Sequence, residues 1–356
     1  MTKRTKILIV GLGAAGQRHA RNLRTILGDQ LDLLAFRSRR SAPSLSEGMQ
    51  VVPGVDPAAG LGARSFSKLE DALDEHPAAV FVANPSSMHL SVARAAVEAG
   101  SAVFLEKPLS HYWEGVPEFL SLVERKGLPT FIGYQWRFHP LLIELKSYLE
   151  TRPLGRLVAA RAAFGEYLPG WHPYEDYRQS YAARRELGGG VLLSQIHDFD
   201  YLGWLLGWPD QVFSLGGHLS DLEINVEDVA STLIRCVVDG RAIPVHVHQD
   251  YLQRPGVRGC EIIAERGRVD LDLLQARLRV WDDSGKCIRE TDFSQFARND
   301  MFLAESRHFL GCLEGREQSL IPAREGARSL AVALAAQRSL LSAKPESVVY
   351  PRSIHG

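Results

Sequence analysis

Two side chains suited to proton transfer, a lysine and a histidine, stand in contexts that could support chemistry. Lys107 ends the apolar, strand-like run 103–106 and is followed directly by Pro108. Because the residue before a proline is held in an extended conformation, the backbone fixes the direction of this lysine. His197 follows the triple glycine at 188–190, which would let a ligand come close to the backbone. Lysine and histidine are both common general acids and bases.

The elements that must position these groups begin at the N-terminus. Residues 6–10 predict a short buried strand that runs directly into Gly11-Leu12-Gly13-Ala14-Ala15-Gly16. This G-x-G-x-x-G pattern, between a strand and an amphipathic helix at 15–27, is typical of a dinucleotide-binding loop. Its glycines permit the tight turn, the approach of a pyrophosphate and close packing of the helix, whose N-terminus favours phosphate. An ordinary strand-to-helix turn is the alternative interpretation.

Strand-like and helix-like segments alternate through the first third of the chain. Because such alternation is typical of a parallel sheet covered on both faces, it predicts an α/β fold with a doubly wound Rossmann sheet. Ligands of these sheets bind beyond the carboxyl ends of the strands, where Gly11, Asn84 and Lys107 all fall. The Ser/Pro/Gly-rich stretch 38–62 is expected to be loop. The other predicted strands are 31–36, 79–83, 102–106 and 130–134, and the predicted helices are 69–75, 87–98 and 112–126.

The end of the second predicted strand, Ala35-Phe36-Arg37-Ser38-Arg39-Arg40, bears on which dinucleotide is bound. An acidic residue at this place accepts hydrogen bonds from the ribose 2′-hydroxyl of NAD, and the segment has none. Arg37 suits a 2′-phosphate by its charge and forked geometry, and Ser38 adds a hydroxyl donor. We therefore expect NADP to be preferred. The alternative is a solvated basic loop that tolerates NAD as well.

After Pro140 the pattern changes to long strand-like segments without regular helices between them. Alternating apolar and polar positions, as in 245–248, predict a sheet with one open face, which could pair with another subunit in a homodimer or homotetramer. We expect residues 1–136 to form the dinucleotide-binding Rossmann domain. We expect residues 137–356 to form an α+β domain with a large, mostly antiparallel open sheet, whose C-terminal helices pack back on the first domain. The predicted strands are 157–164, 212–218, 228–237, 243–250, 261–265, 268–272 and 277–281, and the closing helices lie near 300–313 and 323–342.

Charge and composition exclude several classes of partner. The 356 residues include 41 Lys plus Arg and 42 Asp plus Glu, so there is no basic field for nucleic acid or an anionic membrane. The four cysteines, Cys236, Cys260, Cys287 and Cys312, have no zinc or redox spacing, which indicates a reduced, cytoplasmic setting and no bound metal. No run approaches the roughly 18 apolar residues of a membrane helix. The expected partner is a small molecule.

Taken together, these motifs resemble those of the glucose-fructose oxidoreductase / inositol dehydrogenase (Gfo/Idh/MocA) family of NAD(P)-dependent sugar and polyol dehydrogenases. The resemblance spans nearly the whole chain, and its most specific element is Glu106-Lys107-Pro108 after a nucleotide fold. It implies that Lys107 is the catalytic lysine, that His197 is the active-site histidine, and that Asn84 and Pro85 border the nicotinamide. The other matching segments are Arg18-His19, Ser86 with His89, Gly133-Tyr134, Arg137-Phe138-His139-Pro140 and the triple glycine.

The residues expected to bind the cofactor lie in these motifs. Glu106 is expected to anchor Lys107 or the ribose rather than to react. The complete set is Gly11, Gly13, Ala14, Ala15, Gly16, Arg37, Ser38, Asn84, Pro85, His89, Glu106, Lys107, Gln135 and Arg137.

The segment before His197 departs from the family pattern. Many members carry an aspartate four residues before the histidine, where this chain has Leu193, and Ser194 stands three before it. A mechanism that needs a Lys-Asp-His trio is therefore in doubt. The shortened segment and the aromatic stretch 165–177 resemble a subgroup associated with surface-sugar and nonulosonic acid biosynthesis. The candidate substrate contacts are Tyr167, His172, Tyr174, Ser194 and Asp198, with a packed surface loop as the alternative for the aromatic ones.

The predicted reaction is hydride transfer between a nicotinamide and a secondary alcohol or ketone of a sugar, sugar derivative or polyol. Such an oxidation also removes the hydroxyl proton, which Lys107 would take as general base, with His197 sharing the proton relay. For His197, a packing role on its helix is the alternative. Two other functions stay open: a non-catalytic, cofactor-binding sensor of the same fold, and a reductase of another substrate class.

Overall fold

The computed structural model describes residues 4–37 and 42–351. Its chain divides into two compact units. The first unit comprises Met1–Tyr134 and Asn299–Gly326, and the second comprises Gln135–Arg298 and Ala327–Gly356. The first contains a six-stranded parallel Rossmann sheet and the second a nine-stranded, mostly antiparallel sheet, which confirms the predicted fold class.

The strands of the first unit are buried on both faces, as a parallel sheet between helices requires. All four residues of Ala79–Val82, for example, are fully buried. The strands are β1 (Thr5–Val10), β2 (Leu31–Phe36), β3 (Ser44–Leu45), β4 (Val51–Val52), β5 (Arg64–Phe66), β6 (Ala79–Val82), β7 (Ala102–Glu106) and β8 (Thr130–Gly133). Their order in the large sheet is β5-β2-β1-β6-β7-β8, and β3 pairs with β4 in a separate hairpin.

The strands of the second unit alternate between buried and exposed side chains. Val245 and Val247 are fully buried, whereas Leu215, Leu233 and Ile263 are exposed, so the sheet has one open face. The strands are β9 (Leu157–Gly165), β10 (Gln211–Gly217), β11 (Val229–Val238), β12 (Arg241–Asp250), β13 (Val257–Ala264), β14 (Gly267–Asp272), β15 (Arg277–Asp282), β16 (Cys287–Asp292) and β17 (Glu346–Ser347). Their order is β16-β15-β14-β13-β9-β12-β11-β10-β17, and within the described part of this second sheet only β9 and β12 pair in parallel.

The helices begin and end at residues that suit their termini. His139 caps the helix that starts at Pro140, and Gly127 ends another in a left-handed conformation. The helices are α1 (Ala14–Leu27), α2 (Pro57–Gly60), α3 (Leu69–Leu73), α4 (His89–Glu98), α5 (Val116–Lys126), α6 (Pro140–Thr151), α7 (Val191–Ser194), α8 (His197–Leu206), α9 (Asn299–Leu313) and α10 (Ala323–Ser342). Within the described ranges, none of them has the length and apolar character needed to span a bilayer.

Candidate active site

The loop between β1 and α1 has the conformation that its glycines predict. Gly11 has a φ of 93°, and a Cβ there would lie 2.8 Å from the Ala83 carbonyl oxygen. A Cβ at Gly16 would collide with the Gly11 carbonyl, whereas one at Gly13 would meet nothing within 4 Å. The space beside Gly13 is therefore open to a ligand, and α1 begins there without a side-chain cap on its first N–H groups.

Three adjacent parallel strands bring candidate residues to one edge of this sheet. The carboxyl ends of β1, β6 and β7, which are neighbours in that order, are followed by Gly11, by Asn84 and by Lys107. Both polar atoms of the Asn84 side chain are buried without a hydrogen-bond partner among the described residues. Because an unpaired buried amide is costly, Asn84 and the open space at Gly13 fit a bound dinucleotide.

Glu106, the neighbour of Lys107, is held by His19. Its carboxylate lies 2.7 Å from Nε2 of His19, whose side chain is buried. Burial alone would raise the pKa of Glu106, but the hydrogen bond from His19 and the nearby positive charge of Lys107 lower it. An ionised carboxylate therefore lies at this sheet edge, immediately before the candidate catalytic lysine.

His89 connects two of the turns at this edge. Its Nδ1 lies 2.7 Å from the carbonyl oxygen of Pro108, and its Nε2 lies 2.8 Å from that of Asn84. The imidazole is buried, and burial lowers its pKa. The structure thus places His89 between the turn after β6 and the segment after Lys107, with both ring nitrogens facing protein carbonyl groups.

Helix α9 adds a buried carboxyl group that the sequence did not single out. Glu305 is fully buried, and neither carboxyl oxygen has a hydrogen-bond partner in the part of the chain described. Burial, together with the charge of Glu106, raises its pKa well above the usual value, which favours the protonated form of Glu305. Phe309, on the same helix, packs edge-on against Phe81 and Phe104 of the sheet. A glutamate in an amphipathic helix carries no signal that distinguishes this environment.

In the second unit, the glycine turn and two short helices position His197. It is the first residue of α8 and is 4% exposed. Ser194, the last residue of α7, is fully buried, and the nearby Tyr251 hydroxyl donates to the Ala182 carbonyl oxygen at 3.4 Å. Burial raises the pKa of Tyr251 well above its usual value, so this phenol keeps its proton.

Glu227 fixes the start of the segment that leads to His197. Its carbonyl oxygen accepts from the Val191 N–H at 3.0 Å, and its carboxyl group accepts from the Leu192 N–H at 3.3 Å. A Cβ at Gly190, where φ is 104°, would overlap that carboxyl group. Glycine is therefore required next to Glu227, a contact between distant residues that the sequence pattern does not reveal.

Asp198, a candidate substrate contact, lies inside the second unit. It is fully buried, and its carboxylate accepts from Nε2 of Gln249 at 3.0 Å. The same amide donates to the Gln195 carbonyl oxygen at 2.6 Å, and Arg258 donates to the Gln195 side chain. These contacts hold the first turn of α8 against the end of β12.

Arg137, which the sequence assigns to the cofactor, forms a buried ion pair with Asp200 of α8. Its Nε and Nη2 donate to the two carboxylate oxygens at 2.9 and 2.7 Å, and both side chains are buried. Ser329 donates to the same carboxylate at 3.0 Å. The pair ties α8, and with it His197, to the 3₁₀ turn 135–138, which also contains the buried Gln135.

The aromatic stretch after β9 is packed against its own neighbours. Arg254 lies 3.9 Å from the ring centroid of Tyr167, and Nδ1 of His172 lies 2.8 Å from the Glu175 carboxylate. The ring of Tyr174 lies 5.4 Å from that of His172. A cavity of about 10 Å³, the size of a single water, lies beside His172.

The residues that follow β2 are only partly described. Arg37 pairs with Asp56, while Ser38, its predicted partner in binding a 2′-phosphate, lies outside the described residues. Asp56 could not be singled out from its sequence context, because it lies in a stretch expected to be loop.

Two family models match the amino-acid sequence. Residues 5–134 match the Gfo/Idh/MocA oxidoreductase family with an NAD-binding Rossmann fold, and residues 142–270 match the Gfo/Idh/MocA C-terminal domain. The chain belongs to the Gfo/Idh/MocA family. It is therefore an NAD-dependent oxidoreductase, which confirms the family and the enzyme class predicted from its motifs.

Known proteins with similar sequences and structures include several dehydrogenases. The chain is 27% identical to myo-inositol 2-dehydrogenase of Thermotoga maritima, over 97% of this chain and 99% of that one. It is 23% identical to scyllo-inositol 2-dehydrogenase (NAD(+)) of Bacillus subtilis, over 100% of both chains. The WlbA dehydrogenase of Bordetella pertussis, solved with NADH and UDP-GlcNAcA, has the same fold. Its TM-score is 0.78 at 22% identity, over 98% of this chain and 99% of that one.

Proposed function

We propose that this protein transfers a hydride between a nicotinamide dinucleotide and a secondary alcohol or ketone of a sugar, sugar derivative or polyol. The observation that carries the proposal is the edge of the first sheet. There, the open space at Gly13, the unpartnered amide of Asn84 and the lysine after β7 follow three adjacent strands. Relatives named for inositol oxidation support the substrate class.

Lys107 is the proposed proton-transfer group. The bound nicotinamide supplies a hydride acceptor or donor, so the protein must remove or return the hydroxyl proton of the substrate. Lys107 would exchange that proton with the substrate oxygen, and His197 would share it. His19 keeps Glu106 ionised beside the lysine, and Glu227 and Asp200 fix the segments on either side of His197. No aspartate at the position of Leu193 is needed for this scheme.

The remaining site residues are proposed to bind the two ligands. The pyrophosphate would lie at the glycine loop and the first N–H groups of α1, the nicotinamide near Asn84 and Pro85, and the adenosine ribose near Arg37. NADP is the proposed preferred cofactor, with NAD also bound. His89 would hold the turns around the nicotinamide, and Gln135 would lie near them. The proposed substrate contacts are Tyr167, His172, Tyr174, Ser194 and Asp198, and the proposed role is in surface-sugar biosynthesis.

The open face of the second sheet supports an oligomer. Exposed apolar side chains on it, among them Leu215, Leu233 and Ile263, are unusual for a surface that faces only water. We propose a homodimer or homotetramer that covers this face, and a monomeric mass in light scattering would contradict it. All four cysteines are free thiols, which fits the proposed cytoplasmic location.

Turnover of a sugar panel tests the function. The purified protein is mixed with NAD or NADP and with myo-inositol, levoglucosan or UDP-N-acetylglucosamine, and the absorbance of the reduced nicotinamide is followed. Oxidation of at least one compound would support the proposal. Tight nucleotide binding without turnover of any polyol, sugar or keto-sugar would instead favour the non-catalytic sensor.

A further inference from the structure

Arg37 lies next to the glycine loop and is almost enclosed. It follows directly on β2, whose last residue, Phe36, accepts a hydrogen bond from the Gly11 N–H at 2.9 Å. The side chain of Arg37 is only 10% exposed. Its Nη1 is buried and has no hydrogen-bond partner among residues 4–37 and 42–351. A guanidinium N–H group in this state is available to a ligand at the adenosine end of the nucleotide site.

The other end of the guanidinium is occupied by Asp56. Nη2 of Arg37 donates to one carboxylate oxygen of Asp56. The second oxygen accepts from the N–H groups of Ala58 and Ala59, at 2.9 and 3.2 Å, because Asp56 is the N-cap of α2. Asp56 is therefore anchored by the helix and holds Arg37 from a fixed position. The two residues are 19 apart in the sequence.

We propose that Asp56 sets the preference between NADP and NAD by competing with a 2′-phosphate for Arg37. A 2′-phosphate bound by Arg37 must share the guanidinium with an existing carboxylate and lies near its negative charge. The 2′-hydroxyl of NAD meets no such repulsion and finds in Asp56 the kind of acceptor that this fold usually places at the end of β2. Asp56 thus supplies from α2 an acidic group that the end of β2 lacks, and it weakens, without reversing, the preference for NADP that Arg37 gives.

This inference rests on the proposed nucleotide binding and concerns only its selectivity. The variant Asp56→Asn distinguishes an effect of Asp56 on nucleotide selectivity from a purely structural role as a helix cap. Asparagine is as good an N-cap as aspartate, so α2 keeps its first turn, while the negative charge beside Arg37 is lost. Asp29→Asn is the matched control, because Asp29 is an exposed acid of the same unit with no ion pair among the described residues.

Fluorescence titration with NADPH and NADH measures the effect. In Asp56→Asn, the ratio of NADPH affinity to NADH affinity should rise about tenfold, the value of one charge-assisted hydrogen bond. Asp29→Asn should leave the ratio unchanged. In Arg37→Gln combined with Asp56→Asn, the gain should vanish.

Two results would overturn the inference in different ways. If both nucleotides bind and the ratio of NADPH affinity to NADH affinity is the same in Asp56→Asn and Asp29→Asn, Asp56 is only a helix cap. The proposed nucleotide site would then be unaffected. If the wild-type protein binds neither nucleotide, the proposed function fails, and this inference fails with it.

Discussion

Replacing Asp200 by asparagine should destabilise the second unit far more than the same replacement at Asp210. Each aspartate accepts two hydrogen bonds from one arginine, Asp200 at 2.9 and 2.7 Å and Asp210 at 2.8 and 2.6 Å. The pairs differ in exposure: Arg137 and Asp200 are 2% and 1% exposed, whereas Arg235 and Asp210 are 53% and 46% exposed. The two pairs share the same two-bond geometry and differ in burial and in the additional hydrogen bond that Ser329 donates to Asp200.

The magnitudes follow from that difference. Removing one partner of a buried pair leaves the other charge without compensation and costs about 3 to 5 kcal/mol of unfolding free energy. An exposed pair is worth about 0.5 kcal/mol, because water solvates the charges that remain. Asp200→Asn leaves the Arg137 guanidinium buried without its counter-ion, so its effect should lie in the first range.

Urea unfolding followed by tryptophan fluorescence measures both variants, and Trp204, 5.7 Å from the Arg137 guanidinium carbon, reports on the buried site. The double variant Arg137→Met/Asp200→Leu should recover most of the loss, since it removes both charges. Equal shifts in Asp200→Asn and Asp210→Asn would refute the reasoning, because burial would then have no effect on the value of the pair.

Two further predictions concern pH and the glycine loop. Burial lowers the pKa of His139 from 6.5 to about 4, so only the unfolded chain binds this proton between those values, and stability falls as the pH drops through them. His139→Asn keeps a helix cap, and between pH 7 and pH 5 its free energy of unfolding should fall by about 2 kcal/mol less than that of the wild type, as urea midpoints would show. An equal fall in both proteins would contradict this prediction. Gly13→Ala should fold normally, because its Cβ meets no protein atom, but it should bind nucleotide more weakly in a fluorescence titration, because the Cβ fills the space left for the ligand. Gly16→Ala should also lower the melting temperature, because its Cβ strikes the Gly11 carbonyl. Normal NADH binding by Gly13→Ala would contradict the proposed role of the glycine loop.

The elements of the first sheet could be predicted because their sequence pattern is local. β2 and β7 have the predicted bounds, 31–36 and 102–106, since apolar runs between turn residues specify buried strands. The prediction of loop throughout 38–62 was wrong, because the stretch contains the β3–β4 hairpin and α2. β16 was not predicted, because its residues are mostly exposed and do not alternate as those of a half-buried strand do.

Site residues could be predicted only where they belong to a contiguous sequence motif. Lys107 and the glycine loop belong to contiguous patterns. The contacts of His19 with Glu106 and of Arg137 with Asp200 join residues 87 and 63 positions apart. Contacts between residues so far apart depend on tertiary packing, and no local sequence pattern predicts them. Only the structure shows which residues pair.

Loss of turnover in Lys107→Met tests the central claim most directly. Methionine resembles the apolar stem of lysine and lacks the ammonium group, so NADH should still bind in a fluorescence titration while the oxidation rate of the sugar falls at least about a hundredfold, the usual contribution of a general acid or base. Turnover at the wild-type rate, with nucleotide binding unchanged, would show that the proton leaves by another group and would contradict the proposed mechanism.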